Sequence, residues 1–170
     1  MTAPRIETER LVLRPHRMED FPGMAEFFAS DLSRYVGGPM PPRQAWLSFA
    51  SDVGSWELMG FGALAIEEKA TGAFAGQIGL NKPPHFPERE IGWNLLSGFG
   101  GRGYATEAAL AARAYAYGTL GWTTAVSYID PENAPSIALA RRIGCTEDPD
   151  AARYDPGDLV FRHPAPEPRR

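Results

Sequence analysis

The chain has 170 residues and a formal net charge of −4, with 44% hydrophobic and 22% charged residues. This size and composition predict a single globular domain over residues 1–163, followed by a flexible C-terminal tail over residues 164–170. The acidic balance argues against nucleic acid as a ligand, because phosphate backbones recruit basic patches.

The cysteine and histidine content excludes several classes of site. Cys145 is the single cysteine, and His16, His85 and His163 are scattered without ligand spacing, so we expect neither a disulfide nor a metal site. The N-terminus lacks the apolar segment of a signal peptide, and no stretch approaches the roughly 18 apolar residues of a membrane span. We therefore expect a cytoplasmic protein without membrane contact, either a monomer or a homodimer.

The first half of the chain alternates helical and strand patterns. Trp46, Phe49, Val53 and Trp56 recur at helical spacing and predict one buried helix face. The predicted elements are a strand over 11–14, a helix over 18–30, a loop over 34–43, a helix over 43–58, and a hairpin of strands over 61–67 and 74–80.

The second half continues this mixed order. Small residues on one face of its first helix predict close packing on a sheet; they are Ala105, Ala108, Ala109, Ala112, Tyr115 and Ala116. The predicted elements are a strand over 90–96, a glycine-rich loop over 98–103, a helix to about 117, a strand over 123–129, a helix over 136–143 and a strand over 159–162. The order is typical of an α/β (α+β) fold.

The glycine-rich loop between a strand and a helix is the strongest chemical signal. The first N–H groups of a helix are unpaired and lie at the positive end of its dipole. Gly100, Gly101 and Gly103 let an anion approach this backbone closely, and Arg102 adds a positive charge. The predicted ligand is therefore a diphosphate.

The spacing of the glycines argues against some diphosphate ligands but does not identify the ligand. The loop does not match the P-loop pattern of nucleotide triphosphatases. Residues 98–103 do match the dinucleotide fingerprint Gly-x-Gly-x-x-Gly, but Asp130 follows too late for the expected acidic partner and several strands precede the loop. A nucleotide-binding protein that uses this fingerprint stays an open alternative.

The segment GGRGYATEA over residues 100–108 resembles the acetyl-CoA loop of the GNAT superfamily, in particular its ribosomal-protein N-acetyltransferase-like branch. Three further segments resemble that branch in the same order: ETERLVLR over 7–14, EIGW over 90–93, and the segment from Asn133 to Gly144. The resemblance implies a GNAT fold, with a mixed, mostly antiparallel sheet of six to seven strands and about four helices. It also implies a splay between the fourth and fifth strands.

The resemblance further implies transfer of the acetyl group of acetyl-CoA, as co-substrate, to a primary amine of a peptide N-terminus or small molecule. Attack would be direct, in a ternary complex. By position in the family pattern, the cofactor-binding residues are Leu95, Leu96, Gly100, Gly101, Arg102, Gly103, Tyr104, Ala105, Asn133 and Ser136.

The same resemblance suggests Glu90 as the general base and Ser136 as a donor to the sulfur atom. Either residue has a plainer interpretation: Glu90 as a solvated carboxylate at a strand end, and Ser136 as a helix cap. Gly100, Ala140 and Cys145 depart from the family pattern, and Ala140 stands where many relatives carry an acid tyrosine. A non-catalytic acyl-CoA-binding module therefore stays an alternative.

Overall fold

The computed structural model describes residues 2–166, which form an eight-stranded sheet flanked by helices. The strands are β1 (Ile6–Glu7), β2 (Leu11–Arg14), β3 (Ala63–Glu68), β4 (Phe74–Asn81), β5 (Glu90–Leu95), β6 (Val126–Ile129), β7 (Thr146–Glu147) and β8 (Leu159–Arg162). The helices are α1 (Phe21–Ala29), α2 (Pro42–Met59), α3 (Tyr104–Gly118) and α4 (Ala134–Arg142), with 3-10 helices at Met18–Asp20 and Asp31–Val36.

The sheet order is β1-β2-β3-β4-β5-β6-β8-β7, and every pairing is antiparallel except that of β5 with β6. The predicted α/β fold with a mostly antiparallel sheet is confirmed. The sheet has eight strands instead of six to seven, because β1 and β7 are two-residue strands too short to show a pattern in the sequence. The predicted tail, residues 164–170, lies outside the described residues from 167 onwards.

The predicted splay lies between β5 and β6, the fourth and fifth strands of the sequence-based count. Within the described chain their parallel ladder comprises one residue pair, Glu90 with Val126. Beyond it, the Ser127 hydroxyl donates to the Ile91 carbonyl at 2.6 Å and lies 3.0 Å from Nε2 of His163. Burial lowers the pKa of His163 to about 3, so the ring is neutral. Because Ser127 directs its one hydroxyl proton to the Ile91 carbonyl, its oxygen accepts from the tautomer of His163 that is protonated at Nε2.

Helix α3 packs across β2, β4 and β5 through its alanine face. Ala105, Ala108, Ala109, Ala112 and Ala116 are all buried, as the spacing predicts. Alanine side chains allow the helix backbone to approach the sheet closely, which fixes the position of the first turn of α3 beside the end of β5. The glycine loop that the sequence predicts and the splay that the family resemblance implies therefore meet at one place.

Helices α1 and α2 form a second apolar cluster with Met40. The predicted buried face of α2 is wrong in part: Phe49 and Trp56 are buried, but Trp46 and Val53 are 40% and 38% exposed. Ala45 is buried in place of Trp46. The two residues are adjacent, so their side chains point about 100° apart around the helix and only one of them faces the core. Within residues 2–166, no helix combines the length and apolar character needed to span a membrane.

Candidate active site

A cleft of about 1930 Å³ opens at the splay. Its walls come from β4, β5 and β6, from the N-terminal ends of α3 and α4, and from one face of α2. That face of α2 is polar, with Gln44, Ser48 and Asp52 at intervals of four residues. The cleft therefore brings an anion-binding helix terminus and a set of carboxyl groups into one space.

The glycine loop lines one end of this cleft, which we call the donor end because the sequence predicts that the loop binds acetyl-CoA. Gly98, Gly101 and Gly103 have φ angles of 87°, 75° and 78°, a region that favours glycine. A Cβ built at Gly100 or Gly101 meets no atom within 4 Å, so the chain itself leaves this surface open. The surface faces the cleft, and Gly103 leads directly into α3. The residues present therefore fit a diphosphate, as the sequence predicts.

A hydrogen-bond network holds the loop against the N-terminal hairpin. The Glu107 carboxylate accepts from the Thr8 hydroxyl at 2.6 Å and from the Arg10 backbone N–H and Nε, both at 2.7 Å. Arg10 Nη1 donates in turn to the carbonyl of Arg102 at 2.7 Å. The segments ETERLVLR and GGRGYATEA, distant in the sequence, therefore lock each other in place.

Arg102 does not line the cleft, although its position in the glycine loop predicted that it would contact the diphosphate. Its Nη1 lies 3.1 Å from Glu68 Oε1, outside the cleft wall, and Tyr104 also donates its hydroxyl to Glu68. Two cations line this end of the cleft. Arg10 is paired with Glu107, and Arg142 Nη1 donates to the Thr106 hydroxyl at 3.2 Å, in the first turn of α3. Sequence reasoning missed Arg142, because nothing local indicates that the end of α4 reaches α3.

Arg142 and Arg102 give a matched pair for testing the donor end. We expect Arg142→Gln to raise the KM for acetyl-CoA on the order of fivefold, because it removes a charge beside the turn that is predicted to bind the diphosphate. Arg102→Gln should change this KM less than about twofold, because its guanidinium is already paired with Glu68. Initial rates at varied acetyl-CoA measure both values, and the reverse order would place the diphosphate elsewhere.

Leu95 and Leu96 end β5 beside the loop. The Leu96 N–H donates to the Ala75 carbonyl at 2.8 Å, so β4 already uses it. Consecutive N–H groups of an antiparallel strand point to alternate edges, and the N–H of Leu95 therefore points towards the splay. Of the two backbone donors, Leu95 is placed to meet a ligand in the splay. Leu96 also lines the cleft and packs against the apolar cluster of α1 and α2.

Glu90 lies at the start of β5, 9% exposed, on the cleft wall. It is not the solvated strand-end carboxylate of the plainer interpretation. Burial raises the pKa of Glu90 to about 7, against hydrogen bonds from Asn81 and the Tyr128 backbone that favour the ionised form. Asn81 Nδ2 donates to Glu90 Oε2 at 2.8 Å, across the β4–β5 ladder. A carboxyl group with this pKa exchanges a proton near neutral pH.

Two glycines under the Glu90 side chain allow this contact. Gly79 and Gly92 are cross-strand partners and form a floor without side chains. A Cβ at Gly79 would lie 2.6 Å from Asn81 Nδ2, and a Cβ at Gly92 would lie 3.2 Å from Glu90 Oε2. The Asn81 and Glu90 side chains therefore fold back over this floor, which we call the Gly79–Gly92 floor.

Gly79→Ala tests the floor directly. The added Cβ displaces Asn81 from Glu90 and removes a hydrogen bond that favours the carboxylate, so the pKa of Glu90 should rise. We expect the acid limb of the kcat/KM profile to move to higher pH. Gly54→Ala on α2 is the control, because a Cβ there meets no atom within 4 Å. An acid limb unmoved by Gly79→Ala contradicts this role of the floor.

Ser136 and Asn133 meet at the start of α4. Trp93 Nε1 donates to the Ser136 hydroxyl oxygen at 3.1 Å, and the Ser136 N–H donates to Asn133 Oδ1 at 3.3 Å. Asn133 is therefore the helix cap, and Ser136, whose hydroxyl oxygen accepts from Trp93, lies on the cleft wall. Ala140 is fully buried in the core, and Cys145 is buried in the same cluster.

Comparison with known proteins agrees with this arrangement. The family described as "Acetyltransferase (GNAT) domain" matches residues 10–146. The solved structure of the acetyltransferase from Agrobacterium tumefaciens is 50% identical and superposes with a TM-score of 0.92, over 96% of this chain and 95% of that one. A GNAT-family acetyltransferase from Bordetella pertussis is 26% identical, with a TM-score of 0.75, over 94% and 98% of the chains.

Two further similarities are narrower. The complex of RimL, a ribosomal-protein acetyltransferase, with coenzyme A is 17% identical with a TM-score of 0.74, over 94% of this chain and 96% of that one, a likeness of fold alone. The uncharacterized protein YkkB of Bacillus subtilis is 37% identical over 81 residues, which is 46% of either chain. This chain thus spans about half the length of that curated relative. Because the family match runs from the turn of the N-terminal hairpin to the start of β7, which is most of the chain, and contains Glu90 and the glycine loop, this chain belongs to the GNAT acetyltransferase family.

Proposed function

We propose that the protein is an N-acetyltransferase that transfers the acetyl group of acetyl-CoA to a primary amine, by direct attack in a ternary complex. One observation carries this proposal: the open glycine loop at the start of α3 and the buried Glu90 line the same cleft. A diphosphate site alone would fit many nucleotides. Glu90 in the same cleft supplies a proton acceptor, which the attack of an amine on a thioester requires.

The donor is held at the N-terminal turn of α3. Backbone N–H groups of Tyr104 and Ala105 meet the diphosphate where Gly100 and Gly101 leave room for it, and Arg142 adds a positive charge. Acetyl-CoA supplies the acetyl group as a thioester, so that an N–C bond forms as the C–S bond breaks. Residues of the chain supply the proton transfers and the stabilisation of charge.

Glu90 takes the proton from the attacking amine. A primary alkyl amine has a pKa near roughly 10 and is mostly protonated at neutral pH, so a base is needed. The Glu90 carboxyl, with its pKa near 7, is ionised in slightly alkaline solution and is oriented by Asn81. Above pH 7 it therefore accepts the proton that the amine must lose.

Leu95 and Ser136 serve the other atoms of the reaction. The Leu95 N–H, directed into the splay, donates to the carbonyl oxygen as negative charge develops there. The Ser136 hydroxyl, fixed by Trp93 and the cap at Asn133, donates to the sulfur as it leaves. A thiol has a pKa near roughly 8.5, so this donation assists but is not obligatory.

The test is an amine panel with acetyl-CoA, read as free thiol, on the wild type, Glu90→Gln and Ser136→Ala. We expect thiol release with at least one primary amine, a large loss in Glu90→Gln and a loss of about tenfold or less in Ser136→Ala. Wild-type protein that binds CoA but releases no thiol with any amine would support the alternative, a non-catalytic acyl-CoA-binding module. Unchanged rates in both variants would remove these two residues from the mechanism.

A further inference from the structure

Two carboxyl groups flank the Gly79–Gly92 floor, and the mechanism above uses one of them. Glu90 lies at one end, held by Asn81. Asp52 of α2 lies at the other end, where Gln77 Nε2 donates to its Oδ2 at 2.8 Å. Gln77, Gly79 and Asn81 are alternate residues of β4 and share one face of the strand. A molecule on the floor is thus flanked by two carboxyl–amide pairs.

The pair of Asp52 and Gln77 is incompletely satisfied. Gln77 is 6% exposed and lines the cleft, and its Oε1 has no hydrogen-bond partner in residues 2–166. A buried acceptor without a donor destabilises the empty site, so a ligand that donates to it gains affinity. Asp52 also lines the cleft, and no arginine or lysine is paired with it among the described ion pairs. An oxygen cluster of this kind is complementary to a ligand with N–H donors and a positive charge.

The mouth of the cleft is acidic as well. Asp130, Asp155 and Asp158 line it, and burial together with the charges of Asp155 and Asp130 raises the pKa of Asp158. Arg153 acts in the opposite direction on the pKa of Asp158 but does not offset these causes, so the three carboxyl groups outweigh this arginine. Such a rim raises the local concentration of cationic ligands. It is independent of the Asp52–Gln77 pair and favours the same charge.

We propose that the acceptor is a small diamine, with the reacting amine at Glu90 and a second ammonium group bound by Asp52 and Gln77. Gln77 and Gly79 are two residues apart, a rise of about 7 Å, and Glu90 folds back over Gly79 and Gly92. With bonds of about 1.5 Å, a chain of roughly four methylene groups spans this distance. The proposal rests on the acetyl transfer proposed above and specifies its acceptor.

Wild-type selectivity is the first test. Thiol release is measured with acetyl-CoA and a series of α,ω-diamines with three to five methylene groups, with n-butylamine, and with a short peptide bearing a free N-terminus. We expect kcat/KM for the best diamine to exceed that for n-butylamine by about 10- to 100-fold, since one charged hydrogen-bonded contact is added. A monoamine or peptide that is as good as every diamine overturns the proposal.

Two variants then test whether Asp52 is responsible for the preference for diamines. Asp52→Asn keeps the side-chain shape but removes the charge, so the diamine advantage should collapse about tenfold or more while kcat/KM for n-butylamine changes less than about threefold. Glu57→Gln, which removes a carboxylate of α2 outside this cleft, is the control and should keep the advantage. An equal loss for both amines in Asp52→Asn, with an unchanged melting temperature, overturns the assignment.

The test separates this inference from the acetyl transfer itself. Thiol release with a monoamine or peptide, without any diamine preference, refutes the diamine acceptor and leaves the acetyltransferase standing. No thiol release with any member of the series, in protein that binds CoA, refutes both. A diamine preference that survives Asp52→Asn refutes the role of Asp52 and Gln77.

Discussion

Replacing Glu90 with glutamine should lower kcat/KM by about 100-fold or more at pH 8, because the amine loses its proton acceptor. The wild-type profile should rise with pH through an apparent pKa near 7, the value to which burial raises the pKa of Glu90. In Glu90→Gln this acid limb should disappear. Initial rates of thiol release between pH 6 and 9 measure both effects. A variant that keeps the wild-type limb would show that another group accepts the proton.

The same substitution should stabilise the protein in alkaline solution. The pKa of Glu90 is higher in the folded chain, about 7, than its ordinary value of 4.5, so its contribution to stability is present below pH 4.5 and is lost as pH rises through 7. The loss amounts to about 3 kcal/mol when complete. Urea unfolding should find Glu90→Gln more stable than the wild type at pH 8, with a smaller difference at pH 4. A variant destabilised at pH 8 would contradict the burial of this charge.

Glu107→Ala should weaken acetyl-CoA binding about tenfold or more and lower the free energy of unfolding by about 2 kcal/mol. Its carboxylate accepts one hydrogen bond from Thr8 and two from Arg10. Arg10 in turn donates to the Arg102 carbonyl in the glycine loop. Without Glu107 the loop loses its attachment to the N-terminal hairpin. Calorimetric titration and urea unfolding measure the two effects.

A nearby acidic residue provides the control for Glu107. Glu7 lies in the same hairpin and pairs with Arg5 and Lys69, but its side chain is 58% exposed. Exposed ion pairs contribute little, so Glu7→Gln should leave both acetyl-CoA affinity and stability unchanged within error. Equal effects in the two variants would mean that Glu107 acts through general electrostatics and not by fixing the loop.

The sequence predicts well those parts of the site that depend on local backbone chemistry. Gly101 and Gly103 adopt left-handed φ angles ahead of α3. The strand predicted over residues 90–96 is observed as β5, which starts at Glu90 as predicted. Such features follow from residue types at fixed spacing, since few residues tolerate these conformations. The splay follows from the family resemblance and not from any pattern in residues 90–129.

Other parts of the site depend on tertiary contacts that no local pattern encodes. Arg102 stands in the motif yet pairs with Glu68, while Arg142 reaches the first turn of α3 from the end of another helix. Asp52 and Gln77 meet only when α2 packs against β4. A signal for Asp52 does exist: Gln44, Ser48 and Asp52 form a polar stripe at helical spacing beside the apolar, buried face of α2. Polar residues at helical spacing can therefore indicate the face of a helix that lines a cleft, as apolar residues indicate the face that is buried.

The most direct measurement is calorimetric titration of the wild type with acetyl-CoA, repeated with Gly101→Val. The proposed donor site at the start of α3 underlies both the proposed reaction and the proposed acceptor. We expect saturable binding by the wild type and a loss of about tenfold or more in Gly101→Val, because its side chain projects into the open surface of the loop at a left-handed φ angle. Absence of wild-type binding at millimolar acetyl-CoA, or equal affinity of the variant, would contradict the assignment of the glycine loop as the acetyl-CoA site.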